Sequence, residues 1–122
     1  MQQIQVTASF QVPPDKAAAF RHVASQLIEA VKAREPGTLQ YLWYFSEDGL
    51  RCSVREIYTD SAAVLHHLAN CSELLPALFE QAAPEVDVTL YGPASNELRA
   101  ALADLGPPVF TYHDGVDRIL GA

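Results

Sequence analysis

An α+β fold built on one antiparallel sheet is what this sequence predicts, and three observations carry the prediction. Ile4 to Val12 alternates apolar and polar residues with period 2, and a 3.6-residue apolar stripe follows it. An Asp-Gly pair then joins two runs rich in aromatic and β-branched residues. The chain has 122 residues, 49% hydrophobic and 19% charged, which is enough to bury one core and leaves no room for a second.

Ile4, Val6, Ala8, Phe10 and Val12 face one way from the first strand. Pro13-Pro14 stops it, Asp15 is read as a helix N-cap, and Phe20, Ala24, Leu27, Ile28 and Val31 form the stripe of a long helix ending before Pro36-Gly37. His22 lies about 200° round from Phe20 on that helix, on its solvent face. Thr38 to Ser46 and Arg51 to Tyr58 read as a hairpin about Asp48-Gly49. A two-residue loop sets Phe45 opposite Cys52, Trp43 opposite Val54, Tyr41 opposite Glu56 and Leu39 opposite Tyr58. A three-residue loop shifts the pairing by one and reverses the relative faces.

Thr59 or Asp60 caps a helix through Asn70 with Val64, Leu65 and Leu68 on its core side. Ser72 to Ala83 continues as a further helical segment, with Pro76 in its first turn. Val86, Val88 and Leu90 alternate as a fourth strand ended by Gly92-Pro93. Ser95 caps a short helix to Leu105, and Val109 to His113 offers one more short strand before an irregular end. The order βαββαβ is that of a ferredoxin-like sheet with its main helices on one face. Residues 1–92 make that domain, and residues 93–122 add a C-terminal helix and tail packed on it. The opposite face, with Gln40, Leu42, Tyr44, Ile57 and Tyr91, is too apolar for water, so a homodimer through it is expected.

Eight Lys and Arg against fifteen Asp and Glu give a formal charge of −7, without a basic cluster. Nucleic acid and anionic membrane are thereby poor partners. The first residues show neither a basic nor an apolar leader segment, and the longest apolar run, Tyr41 to Phe45, is too short to span a bilayer. A cytoplasmic protein is expected. Cys52 and Cys71 form no CxxC pair and read as small buried hydrophobes, and no metal-ligand cluster or phosphate-binding glycine loop is visible.

Gly37-Thr38-Leu39-Gln40-Tyr41, the hairpin, Glu56-Ile57-Tyr58-Thr59-Asp60-Ser61 and His67 resemble the antibiotic biosynthesis monooxygenase family of dimeric α/β barrels, over roughly Ile4 to Gly92. The resemblance implies two such sheets paired as a barrel. Activities in that family include cofactor-independent oxygenation of polycyclic phenols, quinol oxidation and haem degradation. The haem-degrading branch uses an Asn on the first strand, a Trp ending the third and a His on the following helix; here Ala8 and Tyr58 take the first two places, and no His occurs from Ser72 to Ala83. The expectation is therefore a protein without cofactor or metal.

Among residues able to do chemistry, His67 lies beside Val64 at the edge of the apolar stripe, while His66 points away. A neutral imidazole suits the deprotonation of a phenol or quinol; the structural alternative is a histidine that only hydrogen-bonds at the helix edge. Glu56, opposite Tyr41, is read either as orienting Tyr41 or His67, as a base of raised pKa, or as half of a purely structural cross-strand hydrogen bond. Trp43 and Tyr58 flank that pair as aromatic walls of a pocket or as plain core. Arg51 and Arg55 fall on the opposite face, and His113-Asp114 reads as an exposed pair. The expected catalytic residues are thus His67 and Glu56, and the substrate-binding ones Tyr41, Trp43 and Tyr58. The leading expectation is cofactor-independent oxidation of a small phenolic, quinol or polyketide-type aromatic with O2. The rival is a protein on the same dimeric scaffold that binds a small hydrophobic metabolite without turning it over.

Overall fold

The computed structural model describes residues 2–119. Its strands are β1 (Ile4–Gln11), β2 (Thr38–Phe45), β3 (Arg51–Tyr58), β4 (Val86–Tyr91) and β5 (Val109–Phe110), and its helices α1 (Ala17–Arg34), α2 (Ser61–Asn70), α3 (Leu74–Glu80) and α4 (Asn96–Ala101). The sheet order is β2-β3-β1-β4-β5, antiparallel except where β5 joins β4. The first four strands and the helices between them are the ferredoxin-like arrangement that the element order predicts.

The core lies between sheet and helices. Ile4, Val6, Ala8, Phe10 and Val12 of the central strand region are all buried, against Phe20, Val23, Leu27 and Val31 of α1 and Leu78 of α3. On the helix-free face Leu42, Tyr44 and Tyr91 are exposed by 42%, 53% and 42%, so apolar side chains do face outward there, as the alternation requires. Asp117 and Ile119 of the tail lie over this face, beside Gln40, Arg55 and Ile57. Among the described residues no helix is long and apolar enough to cross a membrane.

The hairpin pairs Tyr41 with Glu56, Trp43 with Val54 and Phe45 with Cys52. Its loop is longer than two residues: Ser46 N–H donates to Arg51 O at 2.9 Å, Gly49 takes φ +76°, and Asp48 accepts from Leu50 N and Ser46 Oγ. An even loop length preserves the relative faces, which is why the register agrees although the turn does not. At the far end a bulge displaces Leu39, so Thr38, not Leu39, pairs with Tyr58.

Asp15 does not cap α1. Pro13 and Pro14 preset a 3₁₀ turn over Pro14–Lys16, which puts Asp15 inside the first turn with no side-chain cap. Asp60 does cap α2, accepting from Ala63 N at 2.9 Å. The helix after Ser95 ends at Ala101 and passes through a 3₁₀ turn to Gly106, at φ +58°. β5 stops at Phe110, short of His113: Leu90 and Gly92 donate to Pro108 O at 3.0 Å and Phe110 O at 2.8 Å, but the next donor on that side, Ala94 N–H, turns back to Gly92 O at 2.9 Å and the ladder ends. The expected irregular end falls partly beyond residue 119, outside the described residues.

Candidate functional site

α1 runs into Pro36, so the chain leaves the helix at Glu35, with φ −124° and ψ 75°. A carboxylate thus sits at the negative end of the helix macrodipole and only 5% exposed, both unfavourable for an anion. Donors from three other segments compensate. Thr38 Oγ1 donates to it at 2.7 Å and Asn70 Nδ2 at 2.8 Å, His67 Nδ1 lies 2.8 Å from Oε1 and 3.1 Å from Oε2, and the Cys71 thiol reaches it at 3.5 Å. Burial works to raise the Glu35 pKa, but the hydrogen bonds from Asn70 and Thr38 and the imidazole beside it hold it below the usual carboxylate range.

An ionised Glu35 can only accept, so His67 Nδ1 carries the proton of this bond. Burial lowers the His67 pKa against the opposing pull of Glu35, leaving the imidazole neutral at pH 7 with its lone pair on Nε2. His67 is 4% exposed. The expectation that it lies at the edge of the core needs correcting: the ring is packed between Tyr41, at 5.1 Å between centroids, and Tyr58, at 5.7 Å.

His67 forms part of the wall of an apolar cavity between helices and sheet, which leaves about 80 Å³ open to the centres of water molecules. Val6, Ala8, Val54 and Val88 form its floor, Leu68, Leu75 and Phe79 its roof, and Tyr41, Trp43 and Glu56 one side. Leu102 and Leu105, beyond the ferredoxin-like part, line the other side.

Glu56 faces the same cavity from β3, beside Tyr41 as the register requires. Its Oε1 accepts from the Tyr58 hydroxyl. Burial pushes the Glu56 carboxyl up to about 7, further than the Tyr58 hydrogen bond pulls it down, and the charge of Glu35 adds to the rise. Tyr41 and Tyr58 are both raised well above the ordinary phenol value, by burial first and by the Glu56 charge second, so both keep their protons.

The fold therefore brings His67, Glu56, Tyr41 and Trp43 to one cavity. Tyr58 does not share that wall. It is fully buried beneath His67 and holds Glu56, so the expectation that it forms a pocket wall is corrected to a supporting position. Glu56 orients neither Tyr41 nor His67; the residue holding His67 is Glu35, which the sequence reading missed together with Thr38, Asn70 and Cys71. One signal existed: an acidic residue at a helix C-terminus, directly before Pro36-Gly37, is electrostatically misplaced unless something binds it. His22, His66 and His113 are exposed, as are Arg51 and Arg55.

Glu35, His67 and Cys71 also gather their possible ligand atoms within 4.8 Å, a grouping of distant residues that sequence spacing does not reveal. The atoms concerned are already hydrogen-bonded to one another.

Sheet order, one-sided helices and an internal apolar cavity define a ferredoxin-like α+β protein with space for a small molecule inside the chain. More narrowly, the chain belongs to the antibiotic biosynthesis monooxygenase family, whose model matches residues 4–83. Among solved structures it is similar to MupZ from Pseudomonas fluorescens, at 28% identity and a TM-score of 0.85 over 98% of this chain and 97% of that one. A conserved protein from Methanosarcina mazei Go1 is 26% identical with a TM-score of 0.67, over 75% of this chain and 92% of that one. SnoaB, a cofactor-independent oxygenase from Streptomyces nogalater solved as a single-site mutant, shares the fold at 18% identity and a TM-score of 0.65, over 79% of this chain and 97% of that one. A comparison with curated protein sequences finds no match.

Proposed function

We propose that the protein is a cofactor-independent monooxygenase acting on a small phenolic, quinol or polyketide-type aromatic, with one cavity in each subunit of a cytoplasmic homodimer. The observation that carries this reading is the neutral His67 on the cavity wall, its Nδ1 held by ionised Glu35 and its Nε2 left to accept a proton. SnoaB supplies the precedent for such chemistry on this fold.

Ground-state oxygen reacts slowly with closed-shell molecules, so without a flavin or metal the substrate itself must be made electron-rich. Transfer of its proton to His67 Nε2 does that. Glu35 stabilises the imidazolium that forms, and the anion then gives an electron to O2 before the two radicals recombine in a cavity walled by Trp43 and Tyr41. The protein supplies the base, the alignment and the exclusion of water.

Oxygen uptake with a panel of anthrones and hydroquinones tests the reading. His67→Ala is expected to lose ~10²- to 10⁴-fold in rate, the usual contribution of a general base. Glu35→Gln is expected to lose less and to shift the pH profile, since it changes the partner of Nδ1 and keeps the imidazole. Saturable binding with no oxygen uptake favours the metabolite-binding rival instead.

A further inference from the structure

The separations within the Glu35, His67 and Cys71 cluster are those of three ligands to one metal ion. His67 Nδ1 lies 3.1 Å from Glu35 Oε2 and 3.7 Å from Cys71 Sγ, and Sγ lies 3.5 Å from Oε2. A tetrahedral Zn²⁺, with Zn–S of about 2.3 Å and bonds to nitrogen and oxygen of about 2.0 to 2.1 Å, sets N and O about 3.3 Å apart and S about 3.5 Å from each. The centre of the circle through the three atoms lies roughly 2.0 Å from all of them, at bonding distance for such an ion. The closer contact, Nδ1 to Oε1 at 2.8 Å, is the hydrogen bond that an ion replaces.

The surroundings hold these ligands without help from an ion. Thr38 donates to Oε1 and Asn70 to Oε2, and Asn70 is itself fixed by Ala30 O at 3.0 Å, so the carboxylate keeps its orientation when Nδ1 gives up its proton. His67 and Cys71 stand one turn apart at the end of α2, and the imidazole is packed between Tyr41 and Tyr58. Ionised Glu35 and a Cys71 thiolate neutralise a divalent charge, so the loaded site is neutral, as burial requires. Glu35 also lines a surface groove with Lys32, Pro36 and Thr38, which brings the cluster within one side chain of solvent.

We propose that Glu35, His67 and Cys71 form a Zn²⁺ site with water as the fourth ligand, and that the bound ion disables His67 as a base. The second half rests on the proposed function; the site itself does not. A set of one nitrogen, one oxygen and one sulfur suits Zn²⁺, whereas Mg²⁺ and Ca²⁺ take oxygen ligands. On binding, the Cys71 thiol proton passes to solvent, and the imidazole proton moves from Nδ1 to Nε2 through exchange with water. One proton is released for each ion bound. The Nδ1 lone pair then belongs to the metal, and Nε2, now carrying a proton, cannot take one from a substrate. The ion is thus an inhibitor of metal-free chemistry and not a cofactor for it.

Co²⁺ is the probe, since Zn²⁺ has no visible spectrum. Reduced, chelator-treated wild-type protein is expected to develop a thiolate-to-cobalt charge-transfer band and the visible bands of four-coordinate Co²⁺, saturating at one equivalent, and Zn²⁺ is expected to abolish both. Cys71→Ser should lose the charge-transfer band, while Cys52→Ser, on β3 opposite Phe10 and Phe45, should keep it. Asn70→Ala frees the carboxylate and should weaken binding ~10- to 100-fold, and His67→Ala should weaken it further. Circular dichroism confirms that the variants fold. A second measurement needs no variant: the zinc X-ray absorption spectrum of loaded wild type should show one sulfur at ~2.3 Å with nitrogen and oxygen at ~2.0 Å. A spectrum without sulfur, or a charge-transfer band that survives in Cys71→Ser, overturns the site. Oxygen uptake should fall in step with zinc occupancy and return on adding EDTA; uptake that persists at full occupancy overturns the inhibitory half. No uptake at any zinc level, with the cobalt spectrum as expected, removes the proposed function and supports the site.

Discussion

Replacing Glu56 by Gln should stabilise the protein at alkaline pH and do little at pH 5. In the folded chain the Glu56 carboxyl titrates near 7 instead of 4.5, chiefly because it is buried. A group whose folded pKa is raised stabilises fully below its unfolded value, and that contribution is lost as pH rises through the folded value. At pH 5 the folded state still holds the proton while the unfolded state has already released most of its own, a difference of only about 1 kcal/mol at that pH. By pH 8.5 both are ionised, and the folded state carries a buried anion that costs about 3 kcal/mol relative to the unfolded chain. A glutamine at this position is never charged, and its carbonyl still accepts from Tyr58. The variant should therefore gain on wild type by about 2 to 3 kcal/mol between pH 5 and pH 8.5, or on the order of ten degrees in Tm for a domain of this size. Glu35 and His67 act in the opposite sense, since both are lowered and lose stability on acidification. Taking the difference between variant and wild type at each pH cancels them. Urea titrations across this range give the difference directly, and a flat profile would falsify the assignment of Glu56 as a buried carboxyl of raised pKa.

Two further predictions concern the scaffold. Gly92→Ala should destabilise by several kcal/mol, because φ there is +123° and an added Cβ would approach Gln3 O at 2.4 Å; thermal melts read the loss, and an unchanged Tm removes the close approach. Light scattering at micromolar concentration should give a dimer, and Tyr44→Lys, placing a charge on the exposed sheet face, should shift it toward monomer. A wild-type monomer contradicts the pairing.

The sheet was legible because its period-2 signal is local: each strand declares its own buried face, and Asp48-Gly49 declares where the chain reverses. Tyr41 opposite Glu56 followed from that arithmetic without knowledge of the actual turn. Depth was not legible. Periodicity says that Tyr58 points toward the helices, and only packing decides that His67 covers it. Glu35 escaped for a different reason. Its partners Thr38, His67, Asn70 and Cys71 come from separate segments, and their convergence depends on how α1 and α2 cross. The same convergence is why metal-ligand spacing along the chain does not reveal it.

The place of β1 bears on how the molecule must be assembled. The first strand made is the middle of the sheet, with β3 on one side and β4 on the other, and its pairing joins Gln5 to Tyr91. No early hairpin can shelter it. During synthesis Ile4, Val6 and Phe10 wait with an unpaired edge until most of the chain has emerged, so closure is non-local and comparatively slow. Gln5, Thr7, Ser9 and Gln11, which interrupt the apolar residues, keep that waiting segment from being a continuous sticky strand. A nascent chain halted before β4 should therefore be more prone to aggregate than the finished protein, whatever the ligand turns out to be.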